Sequence, residues 1–208
     1  MQRLAAKEAW EKFYERQPRP WGGAVLLPGL PLDVRVLELG CGGGRLLVPL
    51  VKFDKNSSTR EIIGIDHARS CLKDLHKDCG GILVQGSVTS LPFPDGKFDV
   101  VLCRHVMEHL VEPEREHAAA EIMRIVKPGG IVRFAAFSVE DARVGKGVKV
   151  EDGTYLRGDD ILYHYFTEDE ARFLFKGGKV VLCRTLRWSM KVGRGRTARA
   201  VVEAEIMK

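Results

Sequence analysis

The chain has no apolar run long enough to cross a bilayer, no internal repeat, no low-complexity stretch and no C-x-x-C pair. The first absence speaks against a helical membrane protein and against a membrane partner. The second excludes a solenoid or propeller. Cys41, Cys71, Cys79, Cys103 and Cys183 make an odd count without metal-ligand spacing, which excludes a disulfide framework and a zinc site. Reduced thiols of this kind fit a cytoplasmic protein. The opening MQRLAAKEAWEKFYER mixes Lys, Arg and Glu and has no apolar h-region, so no secretory leader is expected. Its apolar residues Ala6, Ala9, Trp10, Phe13 and Tyr14 recur at helical spacing and predict an amphipathic helix.

Acids are scarce at the other end. From Lys176 to Lys208 nine Lys or Arg face two acids, a local surplus of seven. The net charge is +5, so everything before Lys176 is two charges negative. A mildly acidic body with a basic end favours an anionic partner, while a hairpin that merely gives solubility has the same composition.

What is present is 45% hydrophobic and 29% charged, a globular balance in which short β-branched runs alternate with helical ones. Strands are predicted at Val34–Leu39, Glu61–Ile65, Ile82–Gln85, Phe98–Cys103 and Ile131–Phe137. Helices are predicted between them at Gly44–Phe53, Ala68–Cys79 and Glu114–Val126, the last opened by Pro113 and stopped by KPGG. This rhythm predicts an α/β fold with a doubly wound, Rossmann-like sheet. After Phe137 it breaks: VKVEDGTYL reads as a hairpin turning at Asp152-Gly153, and Thr167 with Glu170 reads as a capping box. Two strands around GRGR close the chain, so the sheet should be mostly parallel with an antiparallel last strand.

The stretch VLELGCGGGRLL raises the functional question, because four glycines separate the first strand from its helix. A tight turn without a ligand would use glycine too. Three features favour a ligand at this strand end. Glu38 puts a carboxylate at the end of the strand. Asp66 ends the second strand, where it can accept both hydroxyls of a ribose. Ser87 and Val88 follow the third strand and can frame an adenine ring. The dinucleotide pattern G-x-G-x-x-G fails at Arg45, and no G-K-[ST] of a P-loop follows.

VLELGCGGG, GIDHA, GSVTSLPFPDGKFDVVLCRHVMEHL and IMRIVKPGG together resemble the successive motifs of class I S-adenosylmethionine-dependent methyltransferases, over residues 34 to 137. EKFYERQPRPWG and YHYFTEDEARFLF resemble the branch with tellurite-resistance-type and tRNA wobble-uridine enzymes. The resemblance implies S-adenosylmethionine as cofactor and one domain over 1–208. A helix and cap would span 1–30, the cofactor-binding core 34–137, a substrate lid 138–166, and a helix with a β-hairpin 167–208. It implies that Glu38, Gly40, Cys41 and Gly42 surround the methionyl part and that Asp66 holds the ribose. His67, Ser87 and Val88 would border the adenine, and Arg104 would line the cofactor.

The acceptor side carries less signal. The N/D-P-P-Y motif of amino-methylating enzymes and a Pro-Cys nucleophile are both missing, which disfavours exocyclic-amine and pyrimidine C5 chemistry. His105, at the mouth of the fourth strand, is the expected catalytic base or acceptor contact. Glu108 and His109 lie three and four residues on, and Tyr163, His164 and Tyr165 are expected at an acceptor wall. Arg194 and Arg196 in the last turn point to an anionic acceptor, either tRNA or an acidic small molecule. A cofactor-binding regulatory protein that no longer catalyses would keep the same glycines and Asp66.

Overall fold

The computed structural model describes residues 2–20, 29–31, 33–54, 61–77, 79–193 and 195–208. Helix α1 (Gln2–Arg16) precedes β1 (Arg35–Leu39), α2 (Leu47–Asp54), β2 (Glu61–Asp66), α3 (Arg69–Leu75), β3 (Ile82–Gln85) and β4 (Phe98–Arg104). A single 3-10 turn at Met107–His109 leads into α4 (Glu112–Ile125) and β5 (Val126–Phe137). Then come β6 (Val148–Glu151), β7 (Thr154–Leu156), β8 (Leu162–His164), α5 (Glu168–Leu174), β9 (Lys179–Val192) and β10 (Gly195–Met207).

Seven strands form one sheet in the order β3-β2-β1-β4-β5-β10-β9. β1 to β5 are parallel and β10 is antiparallel to β5. This is the expected mostly parallel α/β sheet. β1 carries apolar residues on both faces because both are covered: Val36, Leu37 and Leu39 are buried. One apolar cluster joins Leu37, Phe134, Ile122, Phe166 and Phe175 under α4 and α5. The other joins Leu47, Leu50, Leu72, Leu75 and Tyr14 under α1, α2 and α3. The chain winds from β1 outward to β3 and then crosses to β4 on the other side of β1. The carboxyl ends of β1 and β4 therefore face each other at a topological switch point, where α/β sheets take ligands.

Several boundaries differ from the sequence reading. α4 gives way to β5 at Val126, whose φ of −75° and ψ of 136° are already extended. The helix thus stops before KPGG as expected, but KPGG already belongs to β5. It is tolerated there because the pairing with β4 is irregular between Phe98 and Val100, and proline is accepted at such bulges. Gly129, at φ 77°, donates its N–H to the Lys208 carbonyl at 2.7 Å. α3 is shorter than expected and ends at Leu75.

The segment between β5 and α5 folds into a second sheet, β6-β7-β8, all antiparallel. Its first turn is at Asp152-Gly153 as expected, with Gly153 at φ 70°. Both ends of the segment are tied together: the Phe166 N–H donates to the Phe137 carbonyl at 2.7 Å and the Val139 N–H to the Phe166 carbonyl at 3.0 Å. The Thr167 hydroxyl accepts the Glu170 N–H at 3.1 Å, the expected N-cap.

β10 pairs with β5 only from Val201 to Met207, whereas its pairing with β9 continues to Gly195. Residues 187–192 and 195–200 thus leave the sheet as a two-stranded ribbon about 20 Å long. β9 is antiparallel to β10 and so parallel to β5. The ribbon therefore projects from the carboxyl edge, the edge of the switch point. No described helix is long and apolar enough to cross a membrane.

Candidate functional site

The glycine turn leaves β1 with Gly40 at φ 62°, Gly42 at φ 48° and Gly44 at φ 77°, left-handed values that cost any other residue strain. The turn is also packed tightly by the protein itself. A Cβ on Gly42 would meet the Tyr14 hydroxyl, and one on Gly40 would meet Val106. The space expected for a ligand at Gly42 is therefore held by the side chain of α1. Cys41 is buried beside it, and burial, followed by the charges of Asp66 and Glu38, pushes its thiol up. It is a small neutral filler and no nucleophile.

Asp66 organises this corner. Its Oδ2 accepts the Gly42 N–H and its Oδ1 the Ala68 N–H, both at 2.9 Å. Burial raises its pKa against those bonds. Glu38 is buried too, and burial with the charge of Asp66 drives its pKa well above the usual carboxylate range, opposed by Arg104 and the Leu47 N–H. Its Oε2 is buried and has no hydrogen-bond partner among the described residues. Arg104 is exposed at the end of β4. His67 is half-buried, its pKa lowered by burial, and its carbonyl accepts from the Gln85 amide at 3.2 Å. Ser87 bonds Thr89 at 2.8 Å, Val88 packs on the core, and the Gly86 N–H ties their loop to the Asp66 carbonyl at 3.0 Å. The structure thus gathers Glu38, Gly40, Cys41, Gly42, Asp66, His67, Ser87 and Val88 around three adjacent strand ends.

Across the switch point His105 stands at φ 57°, a rare value for a residue with a Cβ. Its N–H donates to the Ala135 carbonyl at 2.8 Å and its Nδ1 lies 2.7 Å from Glu108 Oε1. The ring packs on Phe137 with centroids 4.8 Å apart. Glu108 is fully buried. Burial opposes its ionisation, but His105 and then His109 hold its pKa below the usual range.

His109 donates Nδ1–H to the Leu162 carbonyl at 2.7 Å, and burial lowers its pKa. Its ring lies between Trp10 at 4.9 Å and Tyr163 at 5.2 Å. Tyr163 stacks on Phe137 at 6.3 Å and donates its hydroxyl to Asp159 at 3.0 Å. A cleft of about 570 Å³ between α1 and the β7–β8 loop, lined by Phe13, Arg16 and Asp159, adjoins this wall.

His164 does not join it. Strand alternation turns it to the opposite side, where Thr154 Oγ1 and Glu170 Oε1 each lie 2.7 Å from one ring nitrogen. Tyr165 is buried, with its hydroxyl on the Arg143 carbonyl at 3.0 Å. Arg194 lies outside the described residues, and Arg196 folds onto the ribbon, its Nε 2.9 Å from Ser189 Oγ.

Sequence reasoning missed Tyr14, Phe137, Arg143 and Asp141. The guanidinium of Arg143 lies 4.0 Å over the Phe137 ring. Buried Asp141 accepts from Arg143 Nε at 2.7 Å and Arg199 Nε at 2.8 Å. Although burial opposes it, those bonds hold the Asp141 pKa at about 2. Only the apolar end of β5 signalled Phe137; nothing local signalled the rest.

A left-handed glycine turn between two buried strand-end carboxylates sets the donor side apart, and residues 37–134 match the family model described as a methyltransferase domain. That stretch is similar to methyltransferase domains, and the fold is that of S-adenosylmethionine-dependent methyltransferases. The chain is 27% identical over 165 residues to the tRNA N(3)-cytidine methyltransferase METTL2 of Bos taurus, covering 71% of this chain and 42% of that protein. To METTL2 of Danio rerio it is 26% identical over 185 residues, covering 81% and 51%. It thus spans about half the length of the curated relatives it matches. These relatives are named for cytidine N3, whereas the terminal motifs resemble a wobble-uridine branch. An S-adenosylmethionine-dependent methyltransferase of Methanosarcina mazei superposes with a TM-score of 0.69 at 19% identity, over 86% of this chain and 94% of that one. The 1,6-didemethyltoxoflavin-N1-methyltransferase of Burkholderia thailandensis, solved with 1,6-didemethyltoxoflavin and S-adenosylhomocysteine, gives 0.62 at 20% identity, over 98% and 78%. At such identities the superpositions speak for the fold.

Proposed function

We propose that this methyltransferase transfers a methyl group from S-adenosylmethionine to a ring nitrogen of a tRNA nucleotide. The donor supplies a sulfonium methyl group, so the protein's own work is alignment. The residues present fit that donor. Glu38 Oε2, buried and unpartnered among the described residues, suits the ammonium of the methionyl part, whose charge would ionise the carboxyl. Asp66, held by the Gly42 and Ala68 N–H groups, keeps lone pairs for the ribose. His67, Ser87 and Val88 border the adenine, and Arg104 closes the β4 side. On the acceptor side, His105, Phe137 and Tyr163 form a wall on which a flat base can stack. A ring nitrogen with a free lone pair needs no base to take its proton, which agrees with the absence of the amino-methylating motif.

The observation that carries the tRNA reading is the ribbon. It projects from the site's own edge, it carries no acid between Arg187 and Ala200, and it sets Lys191 directly opposite Arg196. Like charges facing across a strand pair are destabilising, and a phosphate backbone relieves them. Its exposed Trp188 adds an aromatic face. The names of the METTL2 relatives support the same reading. The test is incubation with tritiated-methyl S-adenosylmethionine and total tRNA, or a tRNA-free metabolite fraction, followed by nucleoside analysis. Label in tRNA nucleosides supports the proposal. Label only in metabolites moves the acceptor to a small molecule, and donor binding without any transfer moves the chain to a regulatory role.

A further inference from the structure

His105 Nδ1 faces a carboxylate that can only accept. Glu108 is fully buried, and its Oε2 has no hydrogen-bond partner among the described residues. With Glu108 ionised, the direction in which His105 and His109 push it, the imidazole supplies the proton of that 2.7 Å bond. A neutral ring so held carries its hydrogen on Nδ1 and leaves Nε2 as a lone-pair acceptor. Nε2 has no hydrogen-bond partner among the described residues, and the side chain is 41% exposed. The ring cannot swing freely, because its backbone sits at φ 57° and its face lies on Phe137 at 4.8 Å. It stands at the switch point, next to Val106, which packs against Gly40.

Resting on the reading of a ring-nitrogen acceptor in tRNA, we infer that His105 is the specificity-determining residue of this methyltransferase and that Glu108 positions it. Nε2 accepts a hydrogen bond from an exocyclic N–H beside the nitrogen that receives the methyl group. The site thereby selects an amino-substituted ring, as in cytosine, over an oxo ring such as uracil. The lone pair of the ring nitrogen forms the new N–C bond, the C–S bond breaks with its electrons staying on sulfur, and the positive charge passes from sulfur to the ring. His105 takes no proton in this step. Buried, ionised Glu108 lies one imidazole away from the cation that forms.

The decisive variant is Glu108→Gln. Its amide can donate to Nδ1, which transfers the ring hydrogen to Nε2 and presents the amino group with a donor. The expected result is a roughly 10- to 100-fold fall in kcat/KM for methylation of total tRNA, with unchanged affinity for S-adenosylhomocysteine by calorimetry. Glu108→Ala leaves His105 free to choose its tautomer and should lose less. A merely structural Glu108 predicts the reverse order, because Gln keeps the shape that Ala removes. In wild-type protein, nitrogen-15 NMR should show His105 as the Nδ1–H tautomer. An Nε2–H tautomer, or Glu108→Gln with wild-type kcat/KM or a smaller loss than Glu108→Ala, overturns the inference while the tRNA reading stands. Wild-type protein that binds S-adenosylhomocysteine but labels no tRNA overturns the reading, and the inference with it.

Discussion

Glu38 and Asp66 share one low-dielectric corner, and their mutual repulsion has a pH signature. Burial and the charge of Asp66 raise the Glu38 pKa, so the folded state binds that proton more tightly than the unfolded chain. The stability this contributes is fully present below the ordinary carboxylate pKa and is lost as pH rises through the raised value. Glu38→Gln, which stays neutral, should therefore gain in melting temperature relative to wild type as pH rises from about 5 to about 8. It should also bind S-adenosylhomocysteine more weakly, by about 1.5–3 kcal/mol, the worth of a hydrogen bond to a charged group. Melting curves over pH and calorimetry check both, and parallel stability curves for the two proteins would remove Glu38 from the role. The carboxylates themselves are legible in the sequence, because Glu38 stands just before the glycine turn and Asp66 closes the second strand. Tyr14 over Gly42 is not, because it depends on where a helix from the start of the chain comes to rest.

Among the elements, the parallel strands are the most legible, since strands buried on both faces read as apolar runs. The helix stop before Pro128 is legible as well, but the start of β5 at Val126 is not, because an irregular pairing absorbs the proline. β8 escapes the sequence as well: three residues gain their partners only once the β6–β7 hairpin exists. The composition of the ribbon allows a solubility hairpin or an anion site, and its pairing gives a way to choose. Lys191→Ala with Arg196→Ala removes two facing charges at the solvent-exposed tip. On the tRNA reading, each phosphate no longer neutralised reduces the slope of log affinity against log salt by about 0.7–0.9, while donor affinity and fold are untouched. Identical slopes for the two proteins would return the ribbon to a solubility role.

Over the whole molecule, the segment between β5 and α5, expected as a lid, folds into a sheet whose bonds favour a fixed wall. Buried Arg115 in α4 bonds Glu151 at 2.7 Å, the Thr154 hydroxyl donates to Glu151 at 2.9 Å, and His164 joins Thr154 to Glu170. Removing any member would leave a buried polar group unpaired. Hydrogen exchange should thus find the Tyr165 and Phe166 amides, bonded to the Gly153 and Phe137 carbonyls, already protected in the free protein. Only the turns near Arg143 and Arg157 should slow when donor product and tRNA are added. Slowing across the entire segment would restore the lid.

Helix α1 is the piece that closes the donor side. Glu11 accepts the N–H groups of Arg69 and Ser70 at 2.6 and 2.9 Å, and Tyr14 lies over Gly42. On the proposed reading of the donor site, a nucleoside seated beneath that helix would leave when the helix lifts, and the opening rate of α1 would set the residence time of the spent donor. Glu11→Ala should shorten that residence time in stopped-flow displacement and, where product escape limits turnover, raise kcat as affinity falls. The first helix would then act as the clock of the catalytic cycle.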